Sequence, residues 1–597
     1  MSIRTGFLTL SLVAANSTLA AQVVLSPTHY DVRFDVNYAA AQLRGTARIT
    51  LKNPDAAPVR EASLLLYRLM RVSALRDERG KDLAFRQSVV VFADFGQLQV
   101  NQLLVTLPAP LAPGALTKIE VSYEGHLLGY AETGMRYIQD RIDPAFTILR
   151  ADSYAYPQPG YPSSALNRSA RQPEFSYSAR VTVPKGLTVA NGGRLEGIDT
   201  LGQVVTFRYA SLKPSWRMDF AIAKYTELAS ASIRVYHLPG DSVGAAGVAR
   251  AGAEAMDLFK RWFGPLRESV VVTFIEIPDG WGSQADVTTI IQSAAAFKDP
   301  DRHREVYHEI SHLWNVPPAD RPSPRWNEGE ASFLEYLVTQ EVTGKPLVDE
   351  RANQLVDWLR GELPKHEGWR TTPLIDYGRT GMTDLAYSVG ALYFDLLYRL
   401  AGREAFNRII GGFANEFGVS GGTTKDLMDI VRKTATVDLT RLNNDWIFTP
   451  AWAERVAQTA SIQALEAYYR APPQLGARNQ DSTEAIAAAQ RWLALVDSGR
   501  YAASLDSAAL LLRQMAGTAD SWSQFVRQAR AKFPPNPGSR RVVVRFDKAY
   551  SPEGAPPGRY VRIDFRVGAA GATLPEFVVL QETPTGWRVA MYGTTGG

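Results

Sequence analysis

Residues 307–333 read YHEISHLWNVPPADRPSPRWNEGEASF, and this stretch constrains the chain more than any other. It carries two of only seven histidines, His308 and His312, four positions apart. On a helix, residues i and i+4 stack on one face, so both imidazoles can turn toward one point. Val306, Ile310 and Leu313 supply an apolar stripe at helical spacing, and Pro317-Pro318 ends the segment. Glu309 lies about 100° round the helix from His308, beside that point and not aimed at it. The pattern is H-E-x-x-H, which holds Zn²⁺ between two histidines with a glutamate placed as general base.

Two histidines do not complete an open zinc site, which takes three protein ligands and leaves one position for water. Glu328 is the nearest candidate on a following element. Asn327 reads as a helix N-cap, with Glu330 three residues on in capping-box position. Fifteen residues with four prolines separate His312 from Glu328, enough chain to fold back antiparallel. Glu335, seven residues after Glu328, shares its helix face and is placed to orient a ligand histidine through its other ring nitrogen. His303 reads as a surface residue at the helix start. One Zn²⁺ per chain, held by His308, His312 and Glu328, is the expectation.

The rest of the chain is consistent with a soluble multidomain protein. Its 597 residues exceed what one core holds and suggest roughly three to five domains. A net charge of +4 without a polybasic tract excludes a nucleic-acid or anionic-membrane partner as the main reading. Arg4 precedes an apolar stretch over residues 6–15, and Thr18 and Ala20 stand at −3 and −1 before Ala21. That is a secretory signal over 1–20, so a periplasmic or secreted location is expected. No later run approaches the ~20 apolar residues of a membrane span. There is no cysteine, so neither disulfides nor thiolate ligands enter the account.

Period and composition divide the sequence. Residues 21–230 read as antiparallel β: HYDVRFDVNY puts Tyr30, Val32, Phe34 and Val36 on one face. Residues 231–455 are mainly helical, with helices expected at 302–315, 328–343, 349–360, 384–401 and 403–417. A linker is expected at 456–480. Residues 481–597 read as a small α+β domain of two short helices and four strands, with an unknown partner.

H-E-I-S-H-L-W followed by N-E-G-E-A-S resembles the H-E-x-x-H-x-W and N-E-G-x-A of zinc aminopeptidases of the aminopeptidase N and leukotriene A hydrolase family, a gluzincin group. The resemblance covers roughly residues 25–455. It implies a saddle-shaped β domain, a thermolysin-like catalytic domain, peptide substrates, His308, His312 and Glu328 as zinc ligands, and Glu309 as base. It also implies that Tyr387, in AYSVGALYF, stabilises an oxyanion; read alone, Tyr387 opens the amphipathic run 386–400 as a packing aromatic. The family's exopeptidase loop, G-x-M-E-N, corresponds to residues 282–286, Gly-Ser-Gln-Ala-Asp. There Gly282 and Gln284 stand as substrate-binding candidates, with Asp286 nearby, and the amine-gripping glutamate is absent. Glu330, where an aromatic is common, is a further candidate to face an amine. The large C-terminal helical domain is missing; the last block is similar to an uncharacterised domain of exported bacterial proteins. The leading expectation is an aminopeptidase. An endopeptidase or a hydrolase of N-blocked peptides is the second reading, and a non-catalytic zinc-bearing periplasmic binding protein the third.

Overall fold

Strand Ser26–Asn37 sorts its side chains as the alternation predicts: Tyr30, Val32, Phe34 and Val36 are buried, Arg33 and Asp35 exposed. The structure, a computed structural model, describes residues 23–594 apart from 134, 171–173, 267–270, 287, 472–474, 532, 534–539, 543–554, 556–558, 570–571 and 584–585. The expected signal segment at 1–20 lies outside the described residues.

Ser26–Asn37 pairs antiparallel with Gln42–Lys52 and parallel with Ser176–Pro184 inside a seven-stranded sheet. A four-stranded sheet built on Val59–Tyr67 and Phe95–Leu111 shares one apolar core with it, in which Leu64, Leu103, Val121 and Val181 are wholly buried. Next comes a mainly parallel sheet. Ile233–His237, Val272–Ile277 and Thr289–Ser293 run side by side, with Gln284–Ala285 antiparallel on the edge. Helix α1 (Ser242–Phe263) makes the first crossover, as parallel strands require. Three helices then carry the chemistry: α2 (His303–Ser311), α3 (Trp326–Thr343) and α4 (Ala386–Ala401).

The chain divides into two compact units, one of Met1–Leu355 with Ile375–Thr436, the other of Val356–Leu374 with Val437–Gly597. The expected boundary at 230/231 therefore separates no unit. Residues 437–455 go with the second unit because Trp446 packs near Trp452 and donates its indole N–H to Tyr469 at 2.9 Å. The expected linker at 456–480 is corrected for the same reason: Ile462–Arg470 is a helix anchored by that tyrosine and by Arg441 over Tyr468.

Over the C-terminal α+β region four helices, where two were expected, precede the sheet: Leu475–Asp497, Tyr501–Asp506, Leu510–Ala516 and Ala519–Ala529. The strands Arg540–Val542, Tyr560–Ala569, Ala572–Thr583 and Gly586–Gly593 form an antiparallel meander. Trp492, Trp522 and Tyr592 meet ring to ring in its core. Ser504 satisfies both indoles, its carbonyl accepting from Trp492 at 2.7 Å and its Oγ from Trp522 at 3.0 Å.

Candidate active site

Val306 and Ile310 are fully buried and fix one face of α2, which turns His308 and His312 together. α2 ends at Ser311, and His312 opens a 3₁₀ turn, His312–Trp314, that keeps the rings 5.0 Å apart. α3 folds back across α2 and brings Glu328 in from its first turn. Glu328 Oε2 lies 3.5 Å from Nε2 of both histidines. Of the described residues, these three form the one group of His, Asp and Glu side chains with ligand atoms all within 4.8 Å of one another. A tetrahedral ion with bonds of about 2.0–2.1 Å needs ligand atoms roughly 3.4 Å apart, so the set fits zinc.

The other ring nitrogens are held as a metal site requires. His308 Nδ1 bonds Glu335 Oε2 at 3.1 Å, and His312 Nδ1 bonds Asn315 Oδ1 at 2.5 Å. Each contact leaves Nε2 free to bind. Asn315 escaped the sequence reading; its signal was only its place three residues after His312. His303 is not a plain surface residue: it is half-buried with its ring against Gly247 of α1.

Glu309 is buried beside this set. Burial pushes its carboxyl up to about 7; His308 opposes the rise, and Glu328 and Glu335 add to it. That brings a base close to neutral operating pH. Tyr387, in the first turn of α4, lies parallel to the His308 ring at 6.2 Å between centroids. Burial raises its phenol, Glu328 adds to the rise and Arg325 lowers it, so the hydroxyl remains a proton donor. Arg325 also went unremarked in the sequence. Its Nη2 donates to Glu328 Oε1 at 2.8 Å and to Tyr387 Oη at 3.1 Å.

Glu330 is corrected. α3 begins at Trp326 with Arg325 at the N-cap, and no side chain caps it, so neither the Asn327 cap nor the Glu330 capping box forms. Two residues beyond Glu328, Glu330 points about 160° away from it. It enters the apolar side of α3 with Trp326 and Phe333, 3% exposed, where burial alone raises its carboxyl to about 8. It does not face an amine at the zinc site.

Gln284 sits on the edge strand beside α2. Its Nε2 donates to Asp152 Oδ1 at 3.4 Å, while its Oε1 is buried with no hydrogen-bond partner among the described residues. Asp152 is itself paired with Arg217 at 2.7 Å. Gly282 adopts φ +70° next to Tyr137. Asp286 accepts a hydrogen bond from Ser215 Oγ.

Comparison with known proteins agrees with this architecture. The family described as "Protein of unknown function (DUF4019)" matches residues 488–592. A curated relative, Probable aminopeptidase 1 of Sulfurisphaera tokodaii, is 19% identical over 236 residues, 36% of this chain and 29% of that protein. The match thus spans under a third of the curated relative. Among solved structures, an M1 zinc metallopeptidase mutant from Deinococcus radiodurans, bound to a Tyr-Ser-Ala substrate, superposes with a TM-score of 0.54 at 18% identity. That match covers 71% of this chain and 94% of that one. The M1 zinc metallopeptidase of the same organism gives 0.51 at 18% identity over 76% and 96%. The fold is that of the M1 zinc metallopeptidases.

Proposed function

We propose that the chain is a zinc-dependent peptide hydrolase, most simply an aminopeptidase that removes N-terminal residues. The observation that carries this reading is the convergence of His308, His312 and Glu328, with Glu328 Oε2 3.5 Å from each Nε2 and Glu309 and Tyr387 beside them. Bound there, zinc supplies Lewis acidity toward a peptide carbonyl and a water acidic enough to act as nucleophile near neutral pH. Glu309 takes the proton of the attacking water on its carboxylate and returns it to the departing amine. Tyr387 donates a hydrogen bond from its hydroxyl to the developing oxyanion. Glu335 and Asn315 engage Nδ1 of His308 and His312, which leaves Nε2 of each ring as the nitrogen that would bind the ion.

A second reading, a hydrolase of N-blocked peptides or an endopeptidase, is favoured by the amine end of the cleft. Gln284 brings no charge, its acceptor oxygen is shut off from solvent, and Asp152 is already engaged by Arg217. Matched fluorogenic substrates with free and acetylated N-termini test the choice: faster cleavage of the free amines supports the aminopeptidase, and equal or faster cleavage of the blocked ones supports the second reading. Export is part of the proposal, resting on the signal-like residues 1–20. Among the described residues no helix is long and apolar enough to cross a membrane.

A further inference from the structure

Arg325 holds a backbone that an L-residue with a side chain avoids, φ 58° and ψ 31°. Besides glycines, only Ala41 and Tyr154 share a positive φ among the described residues. Glycine or asparagine is what the backbone alone favours there. A strained residue at a site's edge points to a role for its side chain. The guanidinium, 40% exposed, spans from α3 to α4 and uses one nitrogen, Nη2, for both Glu328 Oε1 and Tyr387 Oη. It also lies 5.6 Å from the centre of the Tyr387 ring. The backbone closes the same loop: Ser323 Oγ accepts from Arg325 N–H at 3.2 Å, and Glu328 N–H donates to Arg325 O at 3.1 Å.

We propose that Arg325 is a positioning residue of the hydrolytic site, tying the ligand carboxylate Glu328 to the oxyanion donor Tyr387; this rests on the zinc peptide hydrolase reading. Two consequences follow from the donor pattern. With Oε1 occupied, Glu328 presents Oε2 to the two histidines, so a single oxygen is offered to the ion. Because Arg325 has only donors, Tyr387 Oη accepts from it and cannot give its proton back. The proton is thereby left for a substrate oxygen.

The test uses Arg325→Asn, Arg325→Lys, Tyr387→Phe and the Arg325→Asn/Tyr387→Phe double variant in the full chain. Asparagine tolerates the left-handed backbone, so Arg325→Asn is expected to melt at or above the wild-type temperature. Its kcat should fall about 10- to 100-fold with KM changed less than about threefold, and Arg325→Lys should recover at least about fivefold of that loss. The double variant should be within about threefold of Tyr387→Phe alone, because the two residues act as a unit. Chelator competition should show zinc dissociation constants about tenfold or more weaker in Arg325→Asn. A kcat within twofold of wild type, full additivity with Tyr387→Phe, or an unchanged zinc dissociation constant overturns the proposal. Should the wild type cleave no peptide, the hydrolase reading fails by itself. The zinc constant then still decides: a tenfold weakening sustains Arg325 as the residue that sets Glu328, and no change removes it.

Discussion

Gly329 and Gly390 meet backbone to backbone: a Cβ on Gly329 would stand 2.4 Å from Gly390 Cα. This approach lets α3 and α4 close until Glu328, one residue before Gly329, and Tyr387, three before Gly390, reach the same Arg325 nitrogen. The glycines in NEGE and YSVG are therefore set by packing between helices and not by turns.

Gly329→Ala should force the helices apart, since the added methyl also meets Ala386 O at 2.6 Å. Overpacking of this kind costs about 1–3 kcal/mol. A lower thermal midpoint together with a reduced kcat is expected. An alanine variant with wild-type melting and turnover would show that the contact does not position the site.

Glu309→Gln keeps the size of the side chain and removes the base. Zinc content should stay at the wild-type level while kcat drops about 10²- to 10⁴-fold. Paired metal analysis and peptide turnover check this, and turnover near wild type would reassign the base.

Folding stability should fall as pH rises through the neutral range because of Glu276. Its side chain is fully buried in the parallel sheet, where burial pushes its carboxyl up to about 8; the Leu238 N–H at 2.7 Å opposes the rise and Asp241 adds to it. Below pH 4.5 the folded and unfolded chains both carry the proton. Between 4.5 and about 8 only the folded chain keeps it, so raising the pH favours unfolding, by on the order of a few kcal/mol in total. Chemical denaturation from pH 5 to 9 should show this slope in the wild type and a flatter one in Glu276→Gln; equal slopes would contradict it.

Ser504→Ala should loosen the C-terminal core, leaving the buried Trp522 N–H without its acceptor at a cost of about 1–3 kcal/mol. Tryptophan fluorescence during denaturant unfolding reads the change, and an unshifted midpoint would mean that the indole finds another partner.

The site was legible where helical period decides position. Glu328 and Glu335, seven residues apart on α3, both reach His308, as helical period implies, while His312 meets Glu328 although α2 ends at Ser311 and it opens a 3₁₀ turn. Glu330 failed because the same rule was overruled by a capping motif: once the helix starts at Trp326, two residues carry Glu330 to the far side. Arg325 was hidden because a single left-handed residue leaves no periodic trace, and its partner Tyr387 is 62 positions away. Asn315 was hidden because its role depends on a 3₁₀ turn that begins at His312. In the fold, strand alternation located the β region, as Tyr30 to Val36 show. The unit boundaries were not legible, since tryptophans such as Trp446 and Trp452 take a partner that spacing does not specify.

Equilibrium dialysis of the purified full chain against zinc, beside the His308→Ala, His312→Ala and Glu328→Ala variants, tests the central claim most directly. About one zinc should be retained per wild-type chain, and every variant should bind it at least about tenfold more weakly. A wild-type chain that retains no zinc, or a Glu328→Ala variant that binds it as tightly as the wild type, would contradict the account.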